Sequence, residues 1–160
     1  VIGNKVLFDH LYSNGLDFDL EYVISECVKM KSDIVEKDEF DKGERQLLNF
    51  GHTVGHSIEK CSNFEISHGK AVAIGMVIAA KAGNALGWSE TDCTAEIIEA
   101  NMNNGLPCEC GFSPEALADA ALSDKKRAGD TITFVVPKKI GECYLKKISV
   151  KDIYTIAEYK

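Results

Sequence analysis

The chain has 160 residues, 45% of them hydrophobic and 27% charged, a composition typical of one globular domain with its own core. Its formal net charge of −7 argues against a surface that binds nucleic acid or an anionic membrane. The longest apolar run, residues 71–80, is too short to span a bilayer. Six scattered cysteines without a CxxC pair indicate reduced thiols, and we expect a cytoplasmic protein.

Hydrophobic periodicity and capping residues predict helices along most of the chain. In chain order they are placed at residues 5–12, 19–37, 46–60, 68–86, 90–103, from 114 onward, and 149–158. The helix over 68–86, with Ser67 as its cap and Gly87 at its end, is apolar on nearly every side and is expected to be central. The prediction is a mainly α fold in one domain, residues 1–160.

The predicted helices are separated by loops, and one β-hairpin is expected near the end of the chain. Loops are placed at residues 38–45, 61–67, 103–114 and 123–130. Two short strands over 131–136 and 142–147, joined by a turn with Gly141, are predicted to form the hairpin.

Three of the four histidines fall within residues 45–70, RQLLNFGHTVGHSIEKCSNFEISHGK. His52 and His56 are four residues apart and share one face of the predicted helix. His68 begins the next helix, where the positive end of the helix dipole favours the neutral imidazole that binds metals. A catalytic zinc usually takes three protein ligands, and the third is not evident. Glu59 lies on a similar face, but we interpret it as a solvated or capping carboxylate.

The charged residues around this block have ordinary interpretations when each is taken alone. Lys31 is expected on a helix surface, Arg45 beside acidic neighbours, and Asp41 in an acidic loop. The basic loop at 123–130 adds Lys125 and Lys126. Only a match to the whole set would assign them a function.

Such a match exists, because LNFGHTVGHSIE, preceded by DEFDKGER and followed by HGKAVAIGM, closely resembles the 3-dehydroquinate synthases. KSDIVEKDE upstream and a DKK loop before the hairpin extend the resemblance along nearly the whole chain. The resemblance implies the C-terminal helical domain of the dehydroquinate synthase-like fold. NAD would then be bound mainly by an N-terminal domain outside this chain.

The resemblance also assigns site residues. His52 and His68 would bind Zn²⁺ or Co²⁺, together with a glutamate expected a few residues upstream of Val1. His56 and Asp41 would be catalytic, and Asp41 stands where the family usually has the longer glutamate. Substrate contacts are implied for five residues: Lys31, Arg45, Asn49, Lys125 and Lys126, with Lys125 preferred over Lys126.

The implied reaction converts a seven-carbon 3-deoxy keto-sugar phosphate (DAHP) into 3-dehydroquinate and phosphate, in the shikimate pathway to the aromatic amino acids. The enzyme would be an NAD- and metal-dependent lyase and a homodimer, and these 160 residues alone are expected to be inactive and to bind zinc weakly. Three alternatives stay open. They are another sugar-phosphate cyclase, an NAD-dependent polyol or alcohol dehydrogenase of the same superfamily, and a helical domain that only mediates assembly.

Overall fold

The computed structural model describes residues 1–125 and 130–160, and of residues 124 and 125 only the backbone. This described part is mainly helical with one two-stranded antiparallel sheet, as predicted. The helices are α1 Lys5–Asn14, α2 Leu20–Lys37, α3 His52–Cys61, α4 His68–Ala85, α5 Thr94–Asn103, α6 Pro114–Lys125 and α7 Asp152–Ala157. The strands are β1 Thr131–Lys139 and β2 Glu142–Ser149, and two short 3₁₀ helices span Gly15–Asp17 and Glu44–Asn49.

Helix α4 forms the centre of the core, which confirms the prediction from its apolar sequence. Side chains on all its faces are buried, among them Val72, Ile74 and Ile78. Helices α3 and α5 and strand β1 all pack on α4. Because α3 and α4 lie against each other, the core fixes the two helices that carry the clustered histidines.

The predicted helix over 46–60 is wrong in its first part. Residues 44–49 form a 3₁₀ helix, the chain then bends at Gly51, and α3 begins only at His52. Gly51 has φ +80°, and a Cβ there would lie 2.7 Å from the carbonyl oxygen of Val72 on α4. The close approach of two backbones therefore breaks the helix at a glycine and makes His52 the first residue of α3.

The hairpin pairs Thr131 with Ser149 and continues to Pro137 opposite Cys143. Both strands are longer than predicted, and α7 is correspondingly shorter than 149–158. Ser149 still belongs to β2, and its N–H donates to Oδ2 of Asp152 at 2.8 Å, which places the start of α7 after it.

Two further boundaries differ from the prediction. Helix α5 begins at Thr94 rather than at residue 90, because the Thr94 N–H donates to Oδ1 of Asp92 at 2.9 Å. Helix α6 continues through Lys125, so the first part of the predicted loop at 123–130 is helical. Residues 126–129 lie outside the described part of the chain.

All six cysteines are free, as expected for reduced thiols. Burial raises the pKa of Cys93 to about 11 and that of Cys143 to about 12, so both stay protonated and unreactive near neutral pH. Within the described residues, no helix combines the length and the apolar character that crossing a membrane requires.

Candidate functional site

The structure brings three histidines of the predicted site together. The ring of His52 lies 5.5 Å from that of His56 and 5.1 Å from that of His68, measured between centroids. The rings of His56 and His68 are 5.7 Å apart. His52 and His56 occupy successive turns of α3, and His68 is the first residue of α4. Each pair of rings is close enough for one ion or one small substrate to contact both.

The turn between α3 and α4 sets the position of His68. Asn63 and Phe64 both take left-handed backbone angles, with φ of 50° and 63°. The buried Ser62 hydroxyl donates to the carbonyl of Glu59 at 2.9 Å and accepts from the N–H of Ile66 at 3.2 Å. This bonding reverses the chain within a few residues and returns it beside the end of α3.

His52 is held in a form suited to metal binding. Its Nδ1 lies 3.2 Å from the carbonyl oxygen of Phe50. Burial lowers the pKa of His52 below the usual value, and the charges of His56 and His68 act in the same direction, against the hydrogen bond to Phe50 that raises it. The imidazole is therefore neutral near pH 7, and Nε2 remains available as a ligand atom.

The low exposure of Glu59 contradicts its interpretation as a solvated carboxylate. Its side chain is only 14% exposed, and both carboxylate oxygens lie 3.2 Å from Nδ1 of His68. One ligand atom from each of His56, Glu59 and His68 lies within 4.8 Å of the others. The spacing of Glu59 three residues after His56 was the available sequence signal, since it places both side chains on one helix face.

A cavity of about 250 Å³ opens beside the histidines. Asn49, His52 and His56 line it from one side, so the structure places the predicted substrate residue Asn49 next to the two rings. Residues of α6 and β1 line it from the other side, namely Ala120, Ala121 and Thr133. The cavity is therefore bounded by the elements that flank the predicted DKK loop.

Of the remaining predicted site residues, three do not line the cavity and two are described only in part or not at all. Lys31 is exposed on α2, and Asp41 is exposed in the loop after α2 with φ +55°. Arg45 lies in the 3₁₀ helix that follows this loop, and its guanidinium donates to the carbonyl of Glu39 at 2.8 Å. None of these three lines the cavity formed by the described residues. Lys125 ends α6 with its side chain not described, and Lys126 lies outside the described residues.

The donor set fits a transition-metal ion such as zinc or cobalt. His52 and His68 each have Nδ1 beside an acceptor, which leaves Nε2 of each ring for an ion. Imidazole nitrogens with a carboxylate nearby are the ligands that Zn²⁺ and Co²⁺ accept. The site also keeps a cavity beside the rings, as a catalytic rather than a purely structural metal requires.

Two solved synthase structures share this fold. A 2-deoxy-scyllo-inosose synthase, complexed with carbaglucose-6-phosphate, NAD⁺ and Co²⁺, matches 98% of this chain and 47% of its own, with a TM-score of 0.77 at 23% identity. The 2-epi-5-epi-valiolone synthase of Streptomyces hygroscopicus subsp. jinggangensis 5008, with NAD⁺ and Zn²⁺ bound, gives 0.79 at 20% identity, over 99% of this chain and 48% of its own. These likenesses show that the chain has the helical fold found in these two synthases.

The chain belongs to the 3-dehydroquinate synthase C-terminal family, whose model matches residues 1–127. Among curated relatives, the 3-dehydroquinate synthase of Clostridium acetobutylicum is 37% identical over 88% of this chain and 40% of its own length. The synthase of Dehalococcoides mccartyi is 36% identical over 98% of this chain and 46% of its own. The chain thus spans less than half the length of these relatives.

Proposed function

We propose that this chain is the metal- and substrate-binding part of a 3-dehydroquinate synthase, which converts DAHP into 3-dehydroquinate and phosphate. The observation that carries the proposal is the histidine cluster, since the block by which the chain resembles the family brings three rings together, and two of them, His52 and His56, line one cavity. Identity to curated 3-dehydroquinate synthases, at 37% and 36%, supports the same conclusion.

The proposed site residues have separate roles in the reaction. With its ion held by His52, His68 and a glutamate N-terminal to Val1, the site would polarise hydroxyl and carbonyl oxygens of the substrate, while NAD would accept a hydride transiently and return it. His56, exposed beside the other two rings, is suited to moving a proton near neutral pH. Asp41 is proposed as a second proton acceptor, with a reach one methylene shorter than that of glutamate.

The substrate carries a carboxylate and a phosphate, so it needs cations and amide donors. Arg45 can bind either group bidentately, whereas Lys31, Lys125 and Lys126 act as single charges. Asn49, already at the cavity wall, can donate to a substrate hydroxyl. Because Arg45 donates to a loop carbonyl and Lys31 lies on an exposed helix face, substrate binding has to bring these side chains toward the cavity.

NAD binding is proposed for an N-terminal domain that precedes this chain in the longer protein. The matched relatives are more than twice as long as the region they share with this chain, which leaves room for such a domain. The related synthases solved with NAD⁺ and Co²⁺ or Zn²⁺ support both cofactors here. We further propose a homodimer, as the resemblance implies, and a cytoplasmic location, as the scattered cysteines, interpreted as reduced thiols, indicate.

A second candidate is a different sugar-phosphate cyclase, favoured by the solved structures that share the fold. Identity is the discriminating observation, because these cyclases are 23% and 20% identical to the chain, well below the curated 3-dehydroquinate synthases. The two candidates differ in whether a substrate carboxylate is required.

The test is phosphate release by the longer protein, supplied with NAD⁺ and either DAHP or a sugar phosphate lacking the carboxylate. We expect turnover of DAHP alone, and a loss of at least about a hundredfold in kcat/KM for His52→Ala and for His68→Ala, because each removes a metal ligand. His10→Ala is the matched control. This fourth histidine lies on α1 against the ring of Tyr22, and its replacement should leave turnover unchanged.

The other outcomes identify the rivals. Full activity of both metal-site variants would favour a domain that only mediates assembly. Net accumulation of NADH with a polyol, without phosphate release, would indicate a dehydrogenase. We expect residues 1–160 alone to be inactive, because the proposed nucleotide site lies outside them.

A further inference from the structure

We propose that Glu59 is a positioning residue of the metal site, which holds His68 in one tautomer and one orientation. The inference rests on the proposed metal site and adds a residue that the sequence analysis had dismissed. The two side chains differ in exposure, because that of His68 is 55% exposed and that of Glu59 only 14%. A ring so exposed is little restrained by packing, so a fixed orientation has to come from a polar partner.

The geometry identifies that partner. Both oxygens of the Glu59 carboxylate lie 3.2 Å from Nδ1 of His68, so this nitrogen carries the proton and donates it. The lone pair of the neutral ring is then on Nε2. An ion bound by His68 would therefore occupy the side of the ring that points away from Glu59.

His52 has the same arrangement with a different acceptor. Its Nδ1 lies 3.2 Å from the carbonyl oxygen of Phe50, which again leaves Nε2 free. The two rings are 5.1 Å apart between centroids. Metal-binding histidines characteristically donate their second nitrogen to a carbonyl or carboxylate, and the carboxylate also strengthens the ring as a ligand. Glu59 and Phe50 thus perform equivalent tasks for the two histidines.

The backbone fixes the position of Glu59 itself. Its carbonyl accepts from the hydroxyl of Ser62 at 2.9 Å and from the N–H of Phe64 at 2.7 Å. The residue whose side chain orients His68 therefore also closes the turn that delivers His68. Glu59 therefore connects the end of α3 to the start of α4 in two ways, through its backbone carbonyl and through its carboxylate.

The test is titration of the metal-free longer protein, which contains the third proposed ligand, with Zn²⁺ and with Co²⁺, for the wild type, Glu59→Ala and Glu59→Gln. We expect Glu59→Ala to lower Zn²⁺ affinity by about 10- to 100-fold, as loss of such partners does. Glu59→Gln should lose less, because its amide oxygen can still accept from Nδ1. Glu65→Ala, an exposed carboxylate in the same turn, is the control and should bind like the wild type.

Two spectroscopic readouts separate positioning from a general loss of structure. The saturated Co²⁺ absorption band should be the same in the wild type and in Glu59→Ala, because the ligands are unchanged. In the metal-free chain, ¹⁵N NMR of His68 should show the Nδ1–H tautomer in the wild type and a mixture in Glu59→Ala. If Glu59→Ala fails to fold, Glu59→Gln and the wild-type tautomer still decide the question.

Equal Zn²⁺ affinity of the wild type and Glu59→Ala would overturn the inference and leave the metal site intact. An altered Co²⁺ band at saturation would also overturn it, because Glu59 would then be a ligand in a set with His56 and His68. A wild-type longer protein that binds neither ion would remove the metal site of the proposed function, and this inference with it.

Discussion

Asp38 organises the loop that carries Asp41 and the start of the 3₁₀ helix that carries Arg45. One of its carboxylate oxygens accepts from the backbone N–H of Lys42 at 3.0 Å, and the other from those of Gly43 at 2.7 Å and Arg45 at 3.1 Å. These hydrogen bonds stabilise the charged carboxylate and so lower the pKa of Asp38 below its usual value. The hydrogen bond from Lys42 has the largest effect. The path of the loop therefore depends on a single ionised side chain.

The lowered pKa predicts how stability changes with pH. The contribution of Asp38 is complete above the pKa of an unfolded aspartate, about 3.9, and is lost as the pH falls through the lower folded value. We expect Asp38→Ala to be less stable than the wild type at pH 7 in urea unfolding, with the difference shrinking below about pH 4. Asp33→Ala, an exposed aspartate on α2, is the control. A difference that stayed constant between pH 7 and pH 2 would contradict this account.

The contact between α3 and α4 is the closest helix packing at the site. A Cβ added at Gly75 of α4 would lie 2.1 Å from the carbonyl oxygen of Gly51 and 2.9 Å from the backbone nitrogen of Gly55. Both neighbours are backbone atoms, which cannot move aside as a flexible side chain can. Small residues on both helices therefore set the distance between the His52 and His68 rings.

We expect Gly75→Ala to destabilise the protein by at least about 1–3 kcal/mol, the usual cost of overpacking, because the two helices have to separate. The same change should weaken Zn²⁺ binding, since His52 and His68 lie on opposite sides of the contact. Gly69→Ala is a matched control in α4, with nothing within 4 Å of the added Cβ. It should gain up to about 1 kcal/mol from helix propensity. Thermal unfolding of the two variants would show shifts of opposite sign, and equal shifts would refute the packing argument.

The same contact explains what sequence reasoning could and could not predict at this scale. The sequence pattern predicts α4 because the helix is buried on all its faces and its residues are almost continuously apolar. The break at Gly51 escapes it, because the reason lies in the approach of Val72 from another helix. The role of Glu59 escapes for the same reason, since its partner His68 comes close only after the turn has folded.

Across the whole molecule, a predicted helix does not tell where its apolar face will pack. Helix α2 forms as its periodicity predicts and is capped by Asp19, whose side chain accepts from the N–H of Tyr22. Yet none of its residues is buried, and Leu20, Ile24 and Val28 remain exposed on successive turns. The resemblance supplied the candidate residues of the site, whereas the structure shows which of them already stand together.

The proposed metal site predicts a stabilisation of the whole chain, because its ligands come from two helices that the core holds together. His52 and His68 are adjacent only in the folded state, so an ion that binds there shifts the unfolding equilibrium. At a free Zn²⁺ concentration one hundred times the Kd, the stabilisation should be about 2.7 kcal/mol. For a domain of this size that raises Tm by roughly 5–10 °C.

The measurement is thermal unfolding of the 160-residue chain at increasing Zn²⁺, followed by a chelator that should return Tm to its starting value. Tm should keep rising with the logarithm of the Zn²⁺ concentration above the Kd, and Mg²⁺ should have little effect because imidazole is a poor ligand for it. The double variant His52→Ala/His68→Ala should show no rise. The rise should shrink at acidic pH, because a metal ion binds only the unprotonated form of its ligands. A Zn²⁺-dependent rise that persisted in the double variant would place the ion elsewhere on the chain, and His52 and His68 would lose their assignment.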